Sequence, residues 1–475
     1  MTEAEAVQQN PLATEKTGKL MAKFAIPCII SMLVNSLYNI VDQIFIGQGV
    51  GYLGNAATNV AFPLVTISMA FALLIGDGAA AYFSLKLGAG ERENAAKGVG
   101  SAITMLAVVG VLFFAVGMIF LVPLLNIFGA TEENRSYAIE YASIILIGLP
   151  FVSVSTGLNS LIRADGSPKF AMASMLSGAI LNTILDPIFI FPLQMGVKGA
   201  AIATIIGQIV GFFISVCYLK RFKSIHFHLK RLKPDFHASK TLISFGVSSF
   251  ITQMAITIVI VVMNNSLTYY GALSEYGANI PLAAQGIVMK VNQIVLSVMV
   301  GIAVGSQPII GFNYGAKNYG RVRSTYRLAV LIACCFAAVA WLCFQLIPQS
   351  IVNIFGQEDA LYNDFAVKCF RIFLLFVILN AFQTVSSIFF QAIGKPMRSA
   401  LLSLSRQILF FIPAVLILPT IFGLDGALYA GPTADFLAFA LAFVFILFEM
   451  KHLHRMEQEQ AKLRVQEEVQ AVEVE

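Results

Sequence analysis

Apolar residues run along this chain in windows of about twenty positions that carry little or no charge, divided by short polar connections. Twelve such windows are centred near residues 36, 70, 110, 150, 181, 208, 256, 296, 336, 380, 409 and 438. A window of that length crosses a bilayer as one α-helix, because a helix satisfies its own backbone hydrogen bonds where no water can. The pattern predicts an all-α membrane protein of twelve transmembrane helices. Composition agrees: 58% of the 475 residues are hydrophobic, 12% are charged and the mean hydropathy is +0.80, whereas an ordinary soluble domain carries about 25% charge.

Basic residues set the expected orientation. The even-numbered connections hold eighteen Lys and Arg, from Lys86 to Arg398, against Arg135 and Lys198 on the odd-numbered ones. Basic loops stay cytoplasmic, so both termini are expected in the cytoplasm of a multi-pass plasma or inner membrane protein. Residues 1–22 are polar, lack a signal-peptide core and are expected to remain as a cytoplasmic segment. The tail 451–475 turns from basic to acidic and is expected to fray from a helix end. A net charge of +5 fits basic loops and does not call for nucleic acid. The six cysteines lie mostly in apolar runs without CxxC spacing and read as core residues.

The chain repeats itself. "NIFG" at 126–129 recurs at 353–356, "LGAG" at 87–90 faces "YGAK" at 314–317, and "MGVKGA" at 195–200 faces "FGLDGA" at 422–427, each offset by 227. "ADGSP" at 164–168 faces "AIGKP" at 392–396, offset by 228. Two six-helix lobes follow, residues 23–219 and 241–450, joined by a basic linker at 220–240. Six is even, so both lobes enter the membrane in the same sense and their pseudo-twofold axis lies along the membrane normal. Rocking such halves about a central cleft gives alternating access, the working motion of a secondary transporter.

Ionisable residues at membrane depth mark candidate function. The first lobe holds Asp42, Asp77 and Asp186; the second holds Lys290, Arg406 and Asp435. Three acids without a base must protonate, bind a cation or sit in water. Asn182 lies one turn before Asp186, and Pro187 cannot donate to the Thr183 carbonyl, so an oxygen-rich group suited to a proton or small hard cation gathers there. Asn35, Tyr38, Asn39 and Asp42 form a polar stripe on the first helix, which alternatively serves as hydrogen-bonding glue between helices. Asp77 is expected to line the cytoplasmic half or to pair with a loop base. Arg406 and Asp435 lie at similar depth and read as a structural ion pair. Lys290 has no evident partner and reads as lining the cleft or bonding carbonyls.

Several chemistries drop out. All five histidines (226, 228, 237, 452 and 454) fall in the central loop or the tail, so a Ser-His pair or HExxH site at membrane depth is excluded. No GxxxxGK[ST] sequence is present to bind ATP. An intramembrane aspartyl protease using Asp42 and Asp77 lacks the GxGD spacing and leaves the duplication unexplained. A lipid-linked saccharide flippase shares the architecture but would be expected to line its cleft with arginines for phosphate.

The stretches "YNIVDQIFIG", "LGAGERENAAKG", "YGAKNYGRVRS", "RADGSPKFAM", "LNTILDPIFIF" and "GVKGAAIAT", in this order and duplicated, resemble the multidrug and toxic compound extrusion family in its DinF-like branch, over about residues 20–450. The resemblance implies a functional monomer without a cofactor that exports organic cations in exchange for H⁺ or Na⁺. It maps a cation and proton site onto Asp42, Asn182, Asp186 and Thr204, with Asn159 nearby, Pro27 as the bend of the first helix, and Na⁺ expected at Asp42, Asn182 and Asp186. Gln253 and Asn380 stand where the sodium-site branch carries acids, so the resemblance does not extend to a second-lobe sodium site.

Overall fold

The structure, a computed structural model, describes residues 10–474 apart from 51, 129, 131, 133, 226–234, 278 and 355–359. Part of the NIFG pair and the middle of the basic linker, with His226 and His228, lie outside the described residues. Among the described residues the chain is helical without strands. The first lobe contains α1 (Thr17–Val50), α2 (Tyr52–Gly88), α3 (Arg92–Ile119), α4 (Arg135–Ala164), α5 (Pro168–Ile190) and α6 (Gly196–Cys217). The second contains α7 (Phe236–Ala272), α8 (Asn279–Gly315), α9 (Tyr319–Leu346), α10 (Ala360–Phe373 with Val377–Ala392), α11 (Pro396–Leu404, a π-helical stretch Ser405–Phe411, and Ile412–Phe422) and α12 (Leu424–Val474).

Eleven helices are long and apolar enough to cross a membrane, and α10 makes a twelfth if its two pieces, bent by 48°, count as one span. The tail continues α12 to Val474, where charge change alone suggested fraying. Likewise α1 begins at Thr17, inside the expected N-terminal segment, and α7 at Phe236, inside the expected linker. Asp235 accounts for the second start: its carboxylate accepts from the Ala238 amide at 2.7 Å and caps α7. Large apolar side chains such as Ile119, Phe213 and Phe448 stand 72%, 58% and 66% exposed. A surface of that kind belongs against lipid.

The repeat reaches down to single dihedral angles. Gly166 and Gly394 take φ of 81° and 71° in the α4–α5 and α10–α11 turns, and Gly196 and Gly423 take 56° and 60° before α6 and α12. Gly90 at 85° corresponds to Lys317 at 58°, so one copy holds a side chain in the left-handed region where glycine is at ease.

Between the lobes, α1 packs on α8 and α2 on α7, which are the same contact seen twice through the pseudo-twofold axis. The axis passes between α2 and α8. A Cβ on Gly88 would stand 2.0 Å from the Phe312 carbonyl oxygen, and one on Gly315 would stand 2.1 Å from that of Leu85. The two contacts exchange under the repeat offset of 227. Gly78 and Gly246 approach the backbone of Leu242 and Leu74 in the same way, and Gly301 and Gly305 approach that of Ile29 and Ala25. The Gly88 and Gly315 contacts stand at the helix ends that carry the basic connections and the others lie in the same halves of their helices, so backbone touches backbone there without intervening side chains.

Gly88→Val should overpack this seam and lower stability by about 1 to 3 kcal/mol, read as a lower melting temperature and a longer spin-label distance between α2 and α8. Gly286→Ala, which meets nothing within 4 Å, serves as the control. Unchanged values for Gly88→Val would mean that the seam is loose.

Candidate cation site in the first lobe

Two small-residue contacts bring the site together. Gly178 on α5 and Gly207 on α6 each approach the other's carbonyl oxygen so closely that a Cβ would lie 2.7 and 2.5 Å away. One turn on from Gly178, Asn182 therefore reaches α6 and donates to Thr204 Oγ1 at 3.2 Å. The same amide donates to Asp186 Oδ1 at 3.1 Å. On α1, Gly49 lies against Ile190 of α5, which holds the two helices close enough for Asp42 and Asp186 to meet. The two carboxyls lie within electrostatic range of each other.

The group is dry and incompletely bonded. Asp42, Asn182 and Asp186 are 8%, 3% and 0% exposed. Asp42 Oδ1, Asp186 Oδ2 and Asn182 Oδ1 are buried without a hydrogen-bond partner. Buried polar atoms are normally satisfied, and three orphaned oxygens in one place are acceptors of the kind that a proton or a hard cation completes. Tyr38 and Tyr141 lie within electrostatic range of both carboxyls.

The other expected residues distribute as follows. Thr204 and Tyr38 join the cluster, whereas Asn39 bonds back to the Asn35 carbonyl at 2.7 Å and takes no part. Asn159 is buried on α4 with Oδ1 unpartnered, but no described contact joins it to Asp186. Pro27 lies buried within α1, where Ser31 donates to its carbonyl at 2.8 Å. Pro187 lies within α5, which continues to Ile190. Lys290 is exposed on α8 and makes no ion pair among the described residues.

Asp77 makes no direct ion pair with a loop base among the described residues. It accepts from Ser160 of its own lobe and from Ser249 of the other, each at 2.8 Å. Arg163 donates to Ser160 at 2.8 Å and Gln391 to Ser249 at 3.1 Å, so the base reaches Asp77 only through a hydroxyl. The carboxylate thus ties the lobes together near the glycine seam, apart from Asp42. In the second lobe Arg406 donates from Nε to Asp435 at 2.7 Å. With its amide oxygen turned to the guanidinium, Asn380 accepts from Arg406 at 2.7 Å and donates to Thr384 at 3.1 Å.

Three polar residues were not foreseen. Tyr141 and Gln208 belong to helices whose polar residues gave no stripe, although Gln208 places an orphaned oxygen where a Cβ on Gly148 would be. Glu449 is fully buried on α12 and pairs with Lys395 and Arg398. Its lone carboxylate in "FILFEMK" was the available signal.

Comparison with known proteins supplies the family. The MatE family model matches residues 27–188 and 249–416. The chain is 26% identical over 439 residues to the multidrug export protein MepA of Staphylococcus haemolyticus, covering 91% of this chain and 94% of that one. It is 25% identical over 434 residues to MepA of Staphylococcus aureus strain MRSA252, with the same coverage. Among solved structures, one described as the outward-facing conformation of a multidrug resistance MATE family transporter of the MOP superfamily matches with a TM-score of 0.86 at 24% identity, over 96% of this chain and 99% of that one. A MOP superfamily transporter from Pyrococcus furiosus, described as having reverse polarity of its binding pocket, matches with a TM-score of 0.85 at 23% identity and the same coverage.

The Arg406 and Asp435 pair can be tested by a double-mutant cycle in melting temperature. Arg406→Gln or Asp435→Asn alone leaves a buried charge unmatched and should cost about 3 to 5 kcal/mol. The double variant should recover much of that loss, whereas additive losses would show that the two side chains do not couple.

Proposed function

The chain belongs to the MatE family of multidrug and toxic compound extrusion transporters, and on that premise we propose that it exports cationic amphipathic compounds in exchange for H⁺ or Na⁺. It is a transporter and not an enzyme. The observation that carries the exchange is the meeting of Asp42 and Asp186 in a lobe whose membrane interior has no base beside them, with three oxygens left unbonded. A site of this kind gains most from a small cation and loses it when a competing positive charge enters the cleft.

The duplicated lobes supply the motion. In this reading the glycine seam and the Asp77 bridge hold the lobes closed at their basic ends, leaving the cleft to open at the other side. The excess of Lys and Arg on the even-numbered connections supports a cytoplasmic position for the closed end and for both termini. Ion binding between α1, α5 and α6 changes how these helices pack, and it favours whichever lobe arrangement binds the ion more tightly. Pro187 contributes by leaving the Thr183 carbonyl without its helical donor, one more oxygen beside Asp186.

The reading is tested by ethidium efflux from proteoliposomes under an imposed pH gradient and, separately, a sodium gradient. Efflux should respond to at least one of them, and Asp42→Asn and Asp186→Asn should reduce it to the level of empty vesicles while the protein still inserts. Full efflux by both variants contradicts the assignment. Pro187→Ala restores the amide donor without touching a charge and should need a steeper gradient for the same efflux. An unaltered gradient dependence would assign the proline to packing alone.

A further inference from the structure

A second polar site lies outside the cleft, where the basic ends of α1, α5 and α6 meet. A pocket of about 650 Å³ opens there, lined by Lys23, Lys169, Arg221 and Lys223 together with Phe170 and Ala173. None of its lining residues is acidic. Lys23 stands 3.5 Å from Glu15, but Lys169, Arg221 and Lys223 have no carboxylate within ion-pair distance among the described residues. Three unmatched cations beside one another repel, and the fold holds them there.

It does so through a buried acid. Asp165, in the α4–α5 turn and 3% exposed, accepts from Tyr218 Oη at 2.7 Å and from the backbone amides of Lys223 and Ser224 at 2.7 and 3.0 Å. These three bonds fasten the turn after α6 against the start of α5, and so place the Arg221 and Lys223 side chains beside Lys169. Asp165 itself is buried beneath the pocket and is not among its lining residues, whose charged side chains are all basic. Helix α5 also begins here, with the positive end of its dipole at the pocket.

Two exposed apolar tracks run from the pocket into the membrane. On α1, Lys23 is followed by Ile26 and Ile30, 54% and 38% exposed. On α5, Ala173 is followed by Ile180 and Ile184, 54% and 53% exposed. The spacing keeps each set on one helix face. A positive pocket at the membrane boundary continued by two apolar tracks matches a molecule with one anionic head and two acyl chains. We propose that this pocket binds the phosphate headgroup of an anionic phospholipid from the leaflet facing the basic connections. The proposal requires only that the chain spans a membrane, so it stands or falls separately from ion coupling.

The experiment is native mass spectrometry of the full chain released from nanodiscs of phosphatidylglycerol and phosphatidylcholine. Wild type should retain phosphatidylglycerol over phosphatidylcholine. Each base near an anionic headgroup strengthens binding roughly fivefold, so the triple variant Lys169→Gln, Arg221→Gln, Lys223→Gln should bind about a hundredfold more weakly. Lys169→Arg with Lys223→Arg should bind as wild type does, and Lys86→Gln, Lys97→Gln, Lys240→Gln should too, although it removes the same charge elsewhere. Equal retention by wild type and the triple variant overturns the site. Displacement of the lipid by millimolar inorganic phosphate overturns the lipid assignment, because the tracks would then contribute nothing.

Discussion

Two carboxyls facing each other in an apolar lobe are the constraint from which the rest follows. Asp42 and Asp186 are nearly inaccessible to water, and the described structure brings no base to them. Removing two negative charges from water side by side is costly enough that they cannot both stay charged and unaccompanied. The lobe answers with one amide and one hydroxyl, and it leaves three oxygens open. A structural network would have closed them. The second lobe shows what closure looks like: Arg406 neutralises Asp435 and Asn380 completes the guanidinium's bonding.

The two lobes therefore share a backbone plan and differ in chemistry. At the repeat offset of 228, Asn182 and Asp186 correspond to Phe410 and Ala414, while Arg406 corresponds to Gly178. Gly178 is the residue that lets α5 and α6 touch beside Asn182. Where one copy uses the position to bring helices together, the other uses it to place a charge, inside a π-helical stretch at Ser405–Phe411. The axis contact is kept in both copies. Gly88 against Phe312 and Gly315 against Leu85 leave no room for a side chain in either, so at that end the lobes meet backbone to backbone.

Much of this was legible in the sequence because the signals are local. Apolar windows marked the spans, and three of the four repeat anchors coincide with turns whose left-handed residues recur as pairs. Asn182 with Asp186 could be read from helical spacing. Partners on distant helices could not. Asp77 is bonded by Ser160 and Ser249, and serine is so common in such helices that no pattern distinguishes these two. Tyr141 comes within electrostatic range of both carboxyls and Gln208 comes against Gly148 through packing between helices, which single-chain spacing does not show. The break in α10 between Phe373 and Val377 carries no proline, and so gave no warning.

The central claim is that the Asp42 and Asp186 pair holds a small cation that a drug displaces. It is tested most directly by adding ethidium to the purified, weakly buffered protein with no gradient present, following pH with an indicator dye and sodium with a sodium-selective electrode. A proton or a sodium ion should be released as ethidium binds, and Asp186→Asn should bind ethidium without releasing either. Release of the same ion by wild type and Asp186→Asn alike, or by neither, would contradict the account.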